Sequence, residues 1–150
     1  MGDLYLDEPW VTIRWDEARQ CVHTEWKAFA NSAEFRAALM RALDAIRDKG
    51  SVRYLSDTRK VKVVVREDQT WANESWVPLL VAAGVKRFAL VMAPTGLGKQ
   101  TVQDVIDLVD NRGLLVRGFT SVDEARTWLA QAEGSSRSGS GDGQNRSSSS

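Results

Sequence analysis

The chain has 150 residues, 43% of them hydrophobic and 27% charged, and its 20 basic and 20 acidic side chains cancel to a formal net charge of zero. That length and apolar content suit one domain with a proper core. The balanced charge argues against a general nucleic-acid binder, whose phosphate contacts need an excess of Lys and Arg, and no apolar run is long enough for a membrane span.

In chain order, Met1 to Pro9 is acidic and polar, without the basic start and apolar stretch of a signal peptide. With a single cysteine, Cys21, no internal disulfide can form, and the expected location is the cytoplasm. Val11, Ile13 and Trp15 alternate on one face, as do Val22, Thr24 and Trp26. Two such runs joined by the polar turn Asp16 to Arg19 predict an antiparallel hairpin. Asn31 with Glu34 has the spacing of a capping box, and Phe35, Leu39, Ala42, Leu43 and Ile46 form an apolar stripe that Gly50 ends. Val52 to Leu55 predicts a third strand, and Val61 to Val65 either a strand extension or an extended loop. A second helix is expected from about Glu67 to Ala83, with Pro78 kinking it or starting a new turn. Phe88 to Met92 is a continuous apolar run, as in a strand covered on both faces. A third helix is expected over Thr101 to Asn111, a fifth strand over Leu114 to Phe119, and a fourth helix after the box Ser121-Val122-Asp123-Glu124. The folded part is expected over residues 1–133, followed by a disordered Ser/Gly-rich tail over 134–150, which has no apolar group to bury.

This alternation predicts an α/β fold: a mixed, mainly parallel sheet of four to five strands, with an N-terminal antiparallel hairpin and about four helices. The order, together with Tyr54-Leu55-Ser56-Asp57-Thr58-Arg59-Lys60, Glu67-Asp68-Gln69-Thr70-Trp71 and Lys86-Arg87-Phe88-Ala89-Leu90-Val91-Met92, resembles the SpoIIAA-like group of bacterial STAS/SEC14-type domains. The likeness runs roughly from Val11 to Leu129. It implies a SpoIIAA-like fold and a regulatory or scaffold role through a protein partner, as in the anti-sigma-factor antagonists, or lipid carriage, as in other relatives. The phospho-accepting serine of the antagonists precedes their second helix. This chain reads Val64-Val65-Arg66-Glu67-Asp68 there, with no Ser or Thr before Thr70. Glu67 and Asp68 either complement the positive helix end or stand as a permanent phosphate mimic.

Ala93 to Thr101 lies between a strand and a helix, where a phosphate-binding loop belongs, but Ala93 and Gln100 depart from that pattern. Gly96, Gly98 and Lys99 remain a candidate anion-binding loop, set against a plain glycine-bearing turn. His23, the only histidine, is expected as a surface residue without a catalytic or metal role, and no cluster has metal-ligand spacing. Asp57, Thr58 and Arg59 follow a central parallel strand at its carboxyl end, where open α/β sheets place ligands, set against a structural role in which Asp57 and Thr58 cap a turn and Arg59 pairs with an acid. Trp71 and Trp76 stand on the second helix and either pack inward or form an exposed aromatic patch beside Lys60 and Lys62.

The function expected is therefore non-enzymatic: protein–protein interaction over Asp57, Thr58, Arg59, Trp71 and Trp76. The alternative is a small amphipathic ligand, such as a lipid, in a groove between the second helix and the sheet. Nucleotide binding through Gly96 to Lys99 is the weaker alternative. No cofactor, metal or nucleic acid is expected, and the oligomeric state and the partner's identity are not legible.

Overall fold

The computed structural model describes residues 3–61, 64–93 and 113–131. Six strands form one mixed sheet in strictly sequential order: β1 (Leu4–Glu8), β2 (Val11–Asp16), β3 (Cys21–Trp26), β4 (Arg53–Asp57), β5 (Arg87–Val91) and β6 (Leu115–Phe119). The first three are an antiparallel meander and the rest run parallel from β3 onward. The α/β class agrees with the alternation of elements. The strand count of four to five does not, because β1 adds a sixth. Its two leucines, set among acidic residues, pair with β2 through an irregularity between Leu4 and Leu6. That irregularity breaks the strict alternation by which a strand is recognised.

Helix α1 (Ser32–Lys49) links β3 to β4. Its capping box is complete, with Asn31 Oδ1 accepting from the Glu34 amide and Glu34 Oε1 from the Asn31 amide. Gly50 closes it at φ 60°, a left-handed conformation that favours glycine. Between β4 and β5 the predicted single helix divides into α2 (Arg66–Trp71), a π-helical turn (Ala72–Trp76) and α3 (Val77–Ala82). The sequence explains the division. Pro78 has no amide to give to the residue four before it, and its ring crowds that carbonyl. A wider turn placed just ahead of Pro78 relieves the crowding. Val61, Val64 and Val65 are in no strand. Helix α4 (Val122–Leu129) follows β6, with Ser121 Oγ accepting from the Glu124 amide. The helix expected over 101–111 and the tail after 133 lie outside the described residues.

The two sheet faces are covered differently. One carries Val11, Ile13, Trp15, Val22, Trp26, Tyr54, Phe88 and Leu90, and packs against α1, the π turn and α3. The two described crossovers thus lie on one face while the strands advance in one direction, so they share one hand, as connections between parallel strands do. The other face carries Leu55, Ala89 and Val91 under Ala125 and Leu129 of α4. Helix α4 covers only the β4–β6 half of that face, and β2 and β3 present Arg14, His23 and Glu25 beside it.

Candidate functional site

The segment Asp57-Thr58-Arg59 at the carboxyl end of β4 stands between two clefts, one on each sheet face. Side chains alternate along a strand, so Asp57 belongs to the face of α4 and Thr58 borders the face of α1. Asp57 is buried and held by Arg59 in a bidentate pair, Nε to Oδ1 at 2.9 Å and Nη2 to Oδ2 at 2.7 Å, with the Arg59 amide also donating to Oδ1 at 3.2 Å. Burial opposes ionisation of this carboxyl, but the Arg59 hydrogen bonds and charge outweigh it and hold it below the usual carboxylate range. Thr58 ties down the strand end, its amide and Oγ1 both donating to the Val91 carbonyl at 2.6 and 2.8 Å.

On the α1 face, Thr58 joins the wall of an apolar cavity of about 100 Å³ between the π turn and the sheet. Trp26, Phe35, Leu39, Trp76, Phe88 and Leu90 supply most of its surface. The sequence locates this cavity where it does. The π turn carries Ala72 and Asn73 toward the sheet, and these short side chains leave space that Trp76, one turn on, does not fill. The aromatic wall is rigid. Trp26 stacks on Phe35 with centroids 5.4 Å apart, and Trp76 meets Phe88 edge-on at 6.1 Å and Tyr54 at 5.7 Å. Its polar atoms are satisfied: Trp26 Nε1 donates to Ser56 Oγ, Trp76 Nε1 to the Leu39 carbonyl at 2.7 Å, and Tyr54 Oη shares a 2.7 Å hydrogen bond with Thr24 Oγ1. Tyr54 lies behind this wall, and burial pushes its hydroxyl's pKa up.

Outside this cavity, and sharing Trp26, Phe35 and Val64 with it, lies a groove of about 780 Å³. Its lip consists of Lys27, Ala28, Phe29, Ala30, Arg59, Lys60 and Val61. Phe29 is 74% exposed, an unusual position for a phenyl ring. The arrangement is an aromatic cavity and, across the shared wall of Trp26, Phe35 and Val64, a groove whose rim carries three cations. Of these, Lys27 reaches Asp7 at 3.4 Å and Arg59 is engaged by Asp57.

Several sequence expectations are relocated. Trp76 is only 2% exposed, so it is a core residue and cavity wall and not part of a surface patch. Its turn faces the sheet, and the indole N–H finds a carbonyl there. Trp71 is half-buried under the Arg36 guanidinium, 5.2 Å from the ring centroid. Asp68 presents no charge to a partner. It is buried, accepting from Ser32 Oγ at 2.7 Å and Arg36 Nε at 2.9 Å, and so ties α2 to the start of α1. His23 is 8% exposed and not a surface residue: it sits in a cleft walled by Arg14, Glu25, Asp57, Arg59 and the start of α4. Cys21 is buried, and burial with the Asp16 charge raises its thiol to about 12, so it is not a ready nucleophile. Gly96, Gly98 and Lys99 lie outside the described residues, as does Lys62. Among the described residues no group of three or more His, Cys, Asp or Glu is placed to hold a metal, and no helix is long and apolar enough to cross a membrane.

Sequence reasoning pointed to the second helix and the end of β4 but missed Trp26, Phe29, Phe35 and Lys27. The signal was present in Trp26-Lys27-Ala28-Phe29-Ala30, where aromatic side chains flank a cation directly before a helix cap. Comparison with protein-family models, curated proteins and solved structures finds no match for this chain, so the site is defined by its geometry.

Proposed function

We propose that this domain is a non-enzymatic binding module of the SpoIIAA-like kind, and that it holds a small anionic amphiphile in the groove beside α2. A hydrocarbon segment enters between Trp26, Phe35 and Trp76, and the head group rests against Lys27, Arg59 and Lys60. The observation that carries this reading is the pairing of an aromatic-lined apolar cavity with a cation-bearing groove through a shared wall. Ligand sites are commonly apolar clefts with a few orienting polar groups. The SpoIIAA-like part of this reading rests on the sequence resemblance, and the mixed sheet agrees with its α/β class. Native mass spectrometry after mild purification tests the reading. It predicts a retained lipid-sized adduct, or one formed on adding a long-chain fatty acid, that is lost in Ala72→Leu. A chain that neither retains nor accepts any such molecule contradicts it.

A second reading, regulatory docking of a protein partner, is favoured by the exposed Phe29 and Val65. These residues move the expected surface from Trp76 to the mouth of the groove. Under this reading Phe29→Asp abolishes capture of a specific partner and Ala72→Leu leaves it intact. The reverse pattern returns the site to the amphiphile.

A further inference from the structure

On the opposite sheet face, where α4 leaves β2 and β3 uncovered, a cleft of about 470 Å³ is bounded by Arg14, His23, Glu25, Asp57, Arg59 and the first turn of α4. Two buried polar atoms among the described residues have no hydrogen-bond partner, His23 Nε2 and Arg126 Nε, and both belong to side chains lining this one cleft. A buried polar atom left unpaired is costly, and two in one place mark unmet binding capacity.

The kind of ligand follows from what is already satisfied. Asp57 is taken up by Arg59, and Glu25 faces Arg14 at 3.8 Å. Asp123 reaches Arg126 Nη1 only at 3.8 Å and is itself 94% exposed. The carboxylates therefore have cations, and the buried polar atoms without a partner are nitrogens. Arg126 Nε can only donate, and His23 Nε2 donates in the Nε2–H tautomer or as the imidazolium, which a neighbouring anion favours. We propose that this cleft binds a small oxyanion, the carboxylate or phosphate group of a ligand, between Arg126 and His23, with uptake of a proton by His23.

The charges facing His23 are Arg14 from β2, Glu25 from β3, Asp57 and Arg59 from β4 and the loop after it, and Asp123 and Arg126 from α4. Burial first, then Arg126 and Arg14, hold the free imidazole down at about 4 against the pull of Asp57 and Glu25. An oxyanion beside Arg126 offsets both cations and favours the imidazolium. By linkage its affinity then rises as pH falls, by up to about tenfold per pH unit, until the free histidine is itself protonated. The inference is independent of the groove on the α1 face.

As the only histidine in the chain, His23 gives an unambiguous ring signal in NMR. Its titration is followed in chloride, inorganic phosphate and formate at matched ionic strength. A midpoint raised by phosphate or formate over chloride, and returned to the chloride value in Arg126→Gln, supports the site. Phosphate alone, formate alone or both identifies the oxyanion it takes. An unchanged midpoint in both anions overturns the proposal, as does a rise that persists undiminished in Arg126→Gln. The wild-type titration stands by itself should the variant fold poorly.

Discussion

At the scale of single residues, the sharpest consequences concern groups whose chemistry burial has changed. His23 has a folded pKa of about 4 against 6.5 for the free side chain. The unfolded chain therefore binds the proton more readily. Stability is highest above the unfolded value and is lost as pH falls from 6.5 toward 4, by about 3 kcal/mol in total. Denaturant melts across that window should show the loss in the wild type and a flattened profile in His23→Gln. Asp68 contributes through its hydrogen bonds, as a buried carboxylate satisfied by Ser32 and Arg36. Asp68→Ala leaves the α1–α2 junction without its acceptor and should cost about 3 kcal/mol, read as a lower urea midpoint. Neither effect was legible beforehand, because a lone histidine or aspartate gives no sign of what will cover it. His23 alternates away from the Val22 and Trp26 face, which suggested solvent, but the side chains of Arg14, Glu25, Asp57 and Arg59 and the start of α4, from the far end of the chain, wall it in.

At the scale of elements, local signals that depend on near neighbours read correctly. The Asn31–Glu34 box and the glycine stop at Gly50 needed only spacing and backbone geometry. Asn31→Ala should lower stability by about 1 kcal/mol. No atom lies within 4 Å of a Cβ built at Gly50, so Gly50→Ala meets only the strain of its left-handed backbone and should cost a similar amount. The π turn was not legible as such, although Pro78 marked the place. It decides the site, because it sets Ala72 and Asn73 over the sheet where longer side chains would close the cavity. Ala72→Leu should fill that space, hold the melting temperature close to wild type and remove amphiphile binding. A large drop in melting temperature would mean that the space is smaller than the structure gives.

At the scale of the whole molecule, the α/β class followed from alternating strands and helices, and the extent of the parallel sheet from its apolar runs. The edge strand β1 escaped because its pairing is irregular and its neighbours acidic. The site residues split the same way. Thr58 came from a strand end whose position in a sheet is a matter of rule, and Trp76 from the apolar stripe of the second helix. Trp26 and Phe35 come from the end of β3 and the first turn of α1 and meet the π turn only through tertiary packing, and Phe29 lies between them in sequence at the groove's lip. The central claim is that this meeting makes a pocket for an anionic amphiphile. The most direct measurement is a tryptophan-fluorescence titration with a long-chain fatty acid and, separately, its uncharged methyl ester. The account predicts saturable one-to-one binding of the acid, weakened for the ester and in the double variant Lys27→Ala with Lys60→Ala, and absent in Ala72→Leu. Equal binding of acid and ester that survives Ala72→Leu, or no saturable binding at all, would contradict it.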